Sequence, residues 1–468
     1  ERPNSGGRDL LRVETDWANG SFQFFINGGL WLSSGSVYIQ HEGRKYTSTD
    51  GSLRVKSARN ISGYDGGKDL GSYVGSSFEW EAQSGSMKPR MFTNVKQYKK
   101  SRVVVFEQVF PDGVSNTATD GKHCNFGLEP NACDWVGLAS AFPTFQRTAP
   151  SSEDLGWMEI YGQHINGKHG EGPSLGKWSN LSDTMPDGLL SGPLALFNEG
   201  GSVAIVSPLS QFMSASMDTS GSVNGSEVSF GLMGGIDAIP QGYSISHVLF
   251  AGTDGINHAF EEWGRLLLAY YGKDTAPSSS DVTDKYLTFI TDNGAYYYYH
   301  AETGKNMLET LLDVDKYGRH LDIPYRNVMI DSWWYYQDAN GAVTKWDARD
   351  DIFPGGNLGF RELGKRTDWR IIAHNRYWGN ETVYDKDSGG AFEFIHDTRS
   401  GNDTRPVYAL PKHEAFWDYL FGRAVEEWGL YTYEQDWLWV QFLGMDALLT
   451  SPTLGREWLI QMGTSAEK

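Results

Sequence analysis

NVMIDSWWYYQDANGAVTKW, residues 327–346, decides how the second half of this chain is read. Val328, Met329 and Ile330 form a short apolar run of the kind that makes a strand buried on both faces. Asp331 follows at once, and then come Ser332, Trp333, Trp334, Tyr335 and Tyr336. A carboxylate at a strand exit accepts hydrogen bonds from hydroxyls, and aromatic rings stack on the C–H faces of a pyranose. The stretch has the make-up of a sugar site. The plainer alternative is that Asp331 caps a turn and the rings pack a core. Two further strands downstream end in the same way, which favours the site.

Outward from this stretch the chain alternates strand and helix. Strands are expected at 286–291, before Asp292 and Asn293, at 328–330, at 369–373 before His374, and at 430–433 before Glu434, Gln435 and Asp436. Helices are expected at 301–317 and 412–428, a helical turn at 359–365, and a fifth strand at 457–462. Polar residues collected at the C-terminal ends of alternating strands are the pattern of a (β/α)8 barrel, whose chemistry sits on that rim. No G-x-G-x-x-G follows a strand, so a doubly wound sheet has no support.

Upstream the text is different. SFQFFI (21–26), SRVVVFEQVF (101–110), SVAIVS (202–207) and YSISHVLFAG (243–252) are short, β-branched and aromatic, and separated by Gly, Asn, Ser and Asp. They predict a large antiparallel β-sandwich over 1–255. A glycine-rich stretch at 65–75 reads as a long surface turn, or as a loop reaching over a site. Residues 256–273 carry a helical apolar face at Ala259, Trp263, Leu266, Leu267 and Tyr270, and 274–284 has linker composition, so 256–285 reads as a connecting helix and linker. Residues 286–468 then hold the first strands of the barrel.

At 468 residues the chain has length for two domains, and its net charge of -19 argues against nucleic acid or an anionic membrane as partner. It has no apolar run of about 18 residues. Cys124 and Cys133 suit a small disulfide loop, and no His or Cys cluster suggests zinc. Sequons begin at Asn19, Asn60, Asn180, Asn224, Asn380 and Asn402. With the acidic pI and a first residue other than Met, they favour a secreted glycoprotein. GPSLG (172–176) fits a serine-hydrolase pattern but lacks the strand-to-helix flanks, and GFRELGKR (359–366) lacks the Ser or Thr of a phosphate loop. His300, His374 and His396 show no metal spacing and suit hydrogen-bonded roles.

The strongest catalytic candidate is GLYTYEQDWLW, residues 429–439, where a strand delivers Asp436 beside Trp437 and Trp439. An ionised Asp on a barrel rim can attack an anomeric carbon, provided a second carboxyl protonates the leaving oxygen. The alternative is a helix N-cap.

FITDNGAYYYY, VMIDSWW with the tryptophan of TKW and the FPGG of 353–356, DWRIIAHNRYW and YTYEQDW follow one another in an order that resembles the α-galactosidase and raffinose-synthase clan of retaining glycoside hydrolases. The resemblance spans roughly 256–462. It implies an N-terminal β-sandwich joined to a (β/α)8 barrel, with Asp436 as nucleophile, Asp331 holding sugar hydroxyls and Trp346 lining the same pocket; Asp292, Trp334, Glu434 and His374 are further candidate contacts of the sugar. Relatives often carry a lysine where this chain has Glu434, which replaces a cation with an acceptor and sets a second carboxylate near Asp436. In this clan the general acid/base follows a sixth strand, so the resemblance assigns it to no residue here and implies a second polypeptide completing the barrel. An oligosaccharide or glycan substrate is expected, and no cofactor or metal. A non-catalytic sugar-binding or storage glycoprotein and a polysaccharide lyase are the alternatives.

Overall fold

The computed structural model describes residues 10–65, 70–83, 89–98, 100–125, 132–148, 151, 153–161, 172–183, 185, 188, 191–219, 225–273, 282–397 and 406–468. Two compact units emerge. One comprises 1–124, 133–275 and 449–453, the other 125–132, 276–448 and 454–468.

The first unit is built from two antiparallel sheets of eight and nine strands. The nine-stranded sheet runs from Gly172–Lys177 at one edge to Leu53–Asp65 at the other, with Tyr243–Gly252, Val103–Phe110 and Arg90–Tyr98 near its centre. GPSLG is therefore part of an edge strand, paired antiparallel with Gly156–Tyr161, and no nucleophile elbow. The sheets meet through rings. Phe22 packs on Phe106 at 5.0 Å between centroids, and Phe142 and Phe145 close on both edge-to-face. The outer face of the larger sheet is covered by helix α1 (Ile256–Tyr270), whose Phe260, Trp263, Leu266 and Leu267 pack against Val103, Ile205, Val248 and Phe250. The approach is close enough that a Cβ on Gly252 would fall 2.7 Å from that of Ala259. The side chains of Cys124 and Cys133 lie outside the described residues. So do residues 66–69 of the glycine-rich stretch, whose Gly71–Gly75 are part of a strand paired with the one ending at Asp65, most of the linker, Asn224 and Asn402. Asn19, Asn60, Asn180 and Asn380 are exposed.

The second unit carries a four-stranded parallel sheet in the order β1 (Leu287–Ile290), β2 (Tyr325–Ile330), β3 (Arg370–Asn375), β4 (Leu430–Gln435). Helices α2 (Met307–His320), α3 (Asn357–Thr367) and α4 (Glu414–Trp428) connect consecutive strands. A capping box starts α2, with the Asn306 side chain accepting from the Glu309 N–H and Glu309 reaching back to the Asn306 N–H. A short helix α5 (Leu438–Gly444) follows β4.

The expected strand at 457–462 is instead part of helix α6 (Leu454–Ala466). WLIQM is too short to separate strand from helix by periodicity, and Gly455, Trp458 and Ser465 are buried at helical spacing. A five-stranded mixed sheet formed by short segments between 336 and 411 makes up the remaining strand structure of this unit.

Candidate active site

Register brings the site together. Ile290 pairs with Met329, Ile330 with Ala373, and His374 with Glu434. Continued past the ends of β1 and β2, these pairings put Asp292, Asp331, His374 and Glu434 level with one another across the four strands. Asp436 lies two residues beyond Glu434 and so shares its face, and its backbone N–H donates to the Asn375 carbonyl at 2.9 Å. Four carboxylates and an imidazole thus meet at the C-terminal end of a parallel sheet.

Their environments push them apart. Burial alone would raise Asp436, but the hydrogen bond from His374 and the Trp437 N–H outweigh it and hold the carboxyl below the usual range. Nε2 of His374 lies 3.2 Å from Oδ2 of Asp436, and the Trp437 N–H lies 2.7 Å from its Oδ1. Burial, with the charges of Asp436, Asp331 and Asp292, pushes Glu434 up, and burial together with Asp331 does the same to Asp292. Asp331 is buried, its Oδ1 accepting from the Ser332 hydroxyl at 2.7 Å and from the Ser332 N–H. Asp436 is the open one, its side chain 54% exposed.

Trp334 and Trp346 do not face this site. Both are 0% exposed, and their indole N–H groups donate to the His374 carbonyl at 3.3 and 2.9 Å. They form an aromatic core with Phe360 and Trp428 beneath β3 and β4. An apolar side chain following a strand turns inward whenever a helix covers that face, and here α3 and α4 do. The rings beside the carboxylates are others. Tyr298 lies within electrostatic reach of Asp331 and Asp292, and Trp437 follows the open carboxylate. Trp437 adopts a left-handed φ of 56°, uncommon for a bulky residue and typical of constrained sites.

Sequence reasoning passed over Arg376, Tyr335 and Tyr299. Arg376 is buried, and its Nε donates to the Tyr335 hydroxyl at 3.1 Å while Nη2 donates to Tyr299 at 3.2 Å. It could have been found, since it stands two residues after His374 and strand alternation gives both one face. Elsewhere among the described residues, Asp385, Asp387 and His396 come close enough to share a cation. Both nitrogens of His396 already have oxygen partners, Asp385 at 2.5 Å and Asn380 at 2.7 Å.

No family model and no curated protein matches the sequence. Solved structures do match. The ligand-free α-N-acetylgalactosaminidase NagBb of Bifidobacterium bifidum is 12% identical and aligns over 98% of this chain and 74% of its own, with a TM-score of 0.52. A quadruple mutant of the same protein gives a TM-score of 0.54 at 11% identity, over 98% and 75%. The GH36 α-galactosidase AgaB of Geobacillus stearothermophilus is 13% identical over 92% of this chain, with a TM-score of 0.51. The chain has a GH36-like fold. It spans 59% of the length of AgaB.

Proposed function

We propose that this chain carries the nucleophile half of a secreted retaining α-glycosidase or transglycosidase acting on α-linked galactose or its N-acetylamino counterpart. Asp436 attacks the anomeric carbon and forms a glycosyl-enzyme, while Asp331, Asp292 and Glu434 accept hydrogen bonds from sugar hydroxyls. The observation that carries this is the divergence of neighbouring carboxyls. Asp436 is held down and open to solvent, whereas Glu434 and Asp292 are pushed up. A nucleophile must be ionised, and a carboxyl that keeps its proton more readily can donate to a hydroxyl oxygen as well as accept from one.

In this reading β1 to β4 are the first strands of a (β/α)8 barrel, which further strands close and whose closing part supplies the proton for the leaving oxygen. Supporting this, parallel sheets are normally covered on both faces and closed or flanked at their edges. Edge strand β1 exposes Leu287 and Ile290, at 53% and 48%, and a cavity of about 770 Å³ lined by Phe289, Ile290, Tyr317 and Tyr325 runs between β1 and α2.

The test is the denatured intact mass of the native protein after incubation with 2-deoxy-2-fluoro-α-glycosyl fluorides. An adduct mapping to Asp436 is the expected result. No adduct from any sugar overturns the nucleophile.

A further inference from the structure

Asp436 and Asp331 are joined by an unbroken chain of hydrogen bonds, and only one of its members is unable to accept. Starting from Asp436, Oδ2 meets Nε2 of His374 at 3.2 Å, and Nδ1 of His374 meets the Tyr335 hydroxyl at 3.0 Å. That hydroxyl accepts from Nε of Arg376 at 3.1 Å. Nη2 of Arg376 donates to the Tyr299 hydroxyl at 3.2 Å, which lies 2.7 Å from Oγ of Ser332, and Ser332 donates to Oδ1 of Asp331 at 2.7 Å.

We propose that Arg376 is a positioning residue that sets the direction of every bond in this chain and thereby holds His374 with its proton on Nε2, pointing at Asp436. A guanidinium has donors and no acceptor. Tyr335 is fully buried, and its hydroxyl has two partners among the described residues. With one of its sites occupied by the Arg376 N–H, its own proton has one place to go, Nδ1 of His374. An Nδ1–H on the ring would leave that phenolic proton without an acceptor in a dry site. Nδ1 is therefore the acceptor, and the ring proton sits on Nε2. The other branch obeys the same logic. Ser332 spends its proton on Asp331, so Tyr299 donates to Ser332 and accepts from Arg376. Both branches run outward from the guanidinium and end on a carboxylate.

The arrangement has a use. A donor fixed on Oδ2 and the Trp437 N–H on Oδ1 grip both oxygens of Asp436, so the carboxylate is oriented before a sugar arrives. Arg376 also lies 5.6 Å from the ring of Trp437 and 5.9 Å from that of Tyr377, beside a pair of rings that meet edge-to-face at 6.2 Å. The kinetic consequence rests on the proposal that Asp436 is the nucleophile; the proton position rests on geometry alone.

The experiment is a two-bond ¹H–¹⁵N spectrum of the native full chain labelled at histidine nitrogen, with His374→Gln used to assign the ring. At neutral pH the expected His374 pattern is Nε2–H with an unprotonated Nδ1. Nδ1–H, or a doubly protonated ring, in the unmodified protein overturns the proposal. Arg376→Met frees the Tyr335 hydroxyl and is expected to give a mixture of tautomers. Tyr335→Phe removes the donor while keeping the guanidinium and is expected to do the same. An unchanged Nε2–H pattern in a folded Arg376→Met protein overturns the role of Arg376. Where the fluoroglycoside adduct forms, Arg376→Met is expected to slow its formation about tenfold or more with saturation unchanged. Arg376→Lys, a cation without the fork, is expected to recover less than half of that loss. Absence of any adduct counts against the nucleophile, while the spectrum still decides the proton.

Discussion

Nε2 of His374 stands 3.2 Å from Oδ2 of Asp436, across the gap between the ends of β3 and β4. Without that bond, burial of Asp436 would go unopposed on this oxygen and its carboxyl would rise. On the proposed mechanism the acidic limb of the rate profile reports the ionisation of Asp436. His374→Ala is expected to move that limb to higher pH, so that activity is lost earlier on acidification. A limb that stays put would show that another group governs it.

Asp436→Asn removes the attacking oxygen while keeping the size of the side chain. Turnover is expected to fall on the order of 10³-fold or more, with no fluoroglycoside adduct. Circular dichroism should be unchanged, because the side chain is half-exposed and asparagine keeps its shape and an acceptor oxygen.

Glu434 bears on stability with the opposite sign from Asp436. Its carboxyl is raised in the folded chain, so folding is favoured at pH values below the unfolded value and loses that support as pH rises through the folded one. At pH 7, well above the unfolded value, the group therefore works against the fold. Glu434→Gln is expected to raise the melting midpoint at pH 7, by roughly 2–4 °C for each kcal/mol recovered, and to make little difference near pH 3.5. Asp436 is depressed, so its contribution is present above the unfolded value and is lost as pH falls through the folded one. Melting scans of both variants between pH 3 and 8 check the two signs.

Trp346 and Trp437 separate core from site. Trp346→Ala empties a fully buried position and is expected to cost about 3–5 kcal/mol, read by denaturant unfolding. Trp437→Ala touches no core ring of that cluster and is expected to change saturation by substrate more than stability. Equal destabilisation by the two would mean that Trp437 is structural.

Asn306→Ala removes the capping box of α2 and is expected to cost about 1 kcal/mol, with no effect on adduct formation, because the box closes on Glu309 of its own helix and its bonds involve none of the five site residues.

Much of this was legible in the chain. Short β-branched and aromatic runs punctuated by Gly, Asn, Ser and Asp mark the strands of the first unit, and the runs at 286–291, 328–330 and 369–373 mark three of the parallel strands. Asp292, Asp331 and His374 at the ends of those runs, and the acids after LYTY, are therefore candidates on local grounds alone. Harder to read were side-chain directions once the strand had ended. Trp334 and Trp346 have the composition of a sugar platform, yet they turn under the sheet because α3 and α4 cover that side. WLIQM was ambiguous for a different reason, its length being insufficient to show a period.

Local covalent pattern determined which residues stand at strand ends, because side-chain alternation and helical period are properties of consecutive residues. Tertiary structure decided which of those ends are level, because register depends on pairing between segments some forty to sixty residues apart. That alignment brings Asp292, Asp331, His374, Glu434 and Asp436 together. It also decided the direction of the hydrogen bonds among them, which follows from a buried arginine that can only donate.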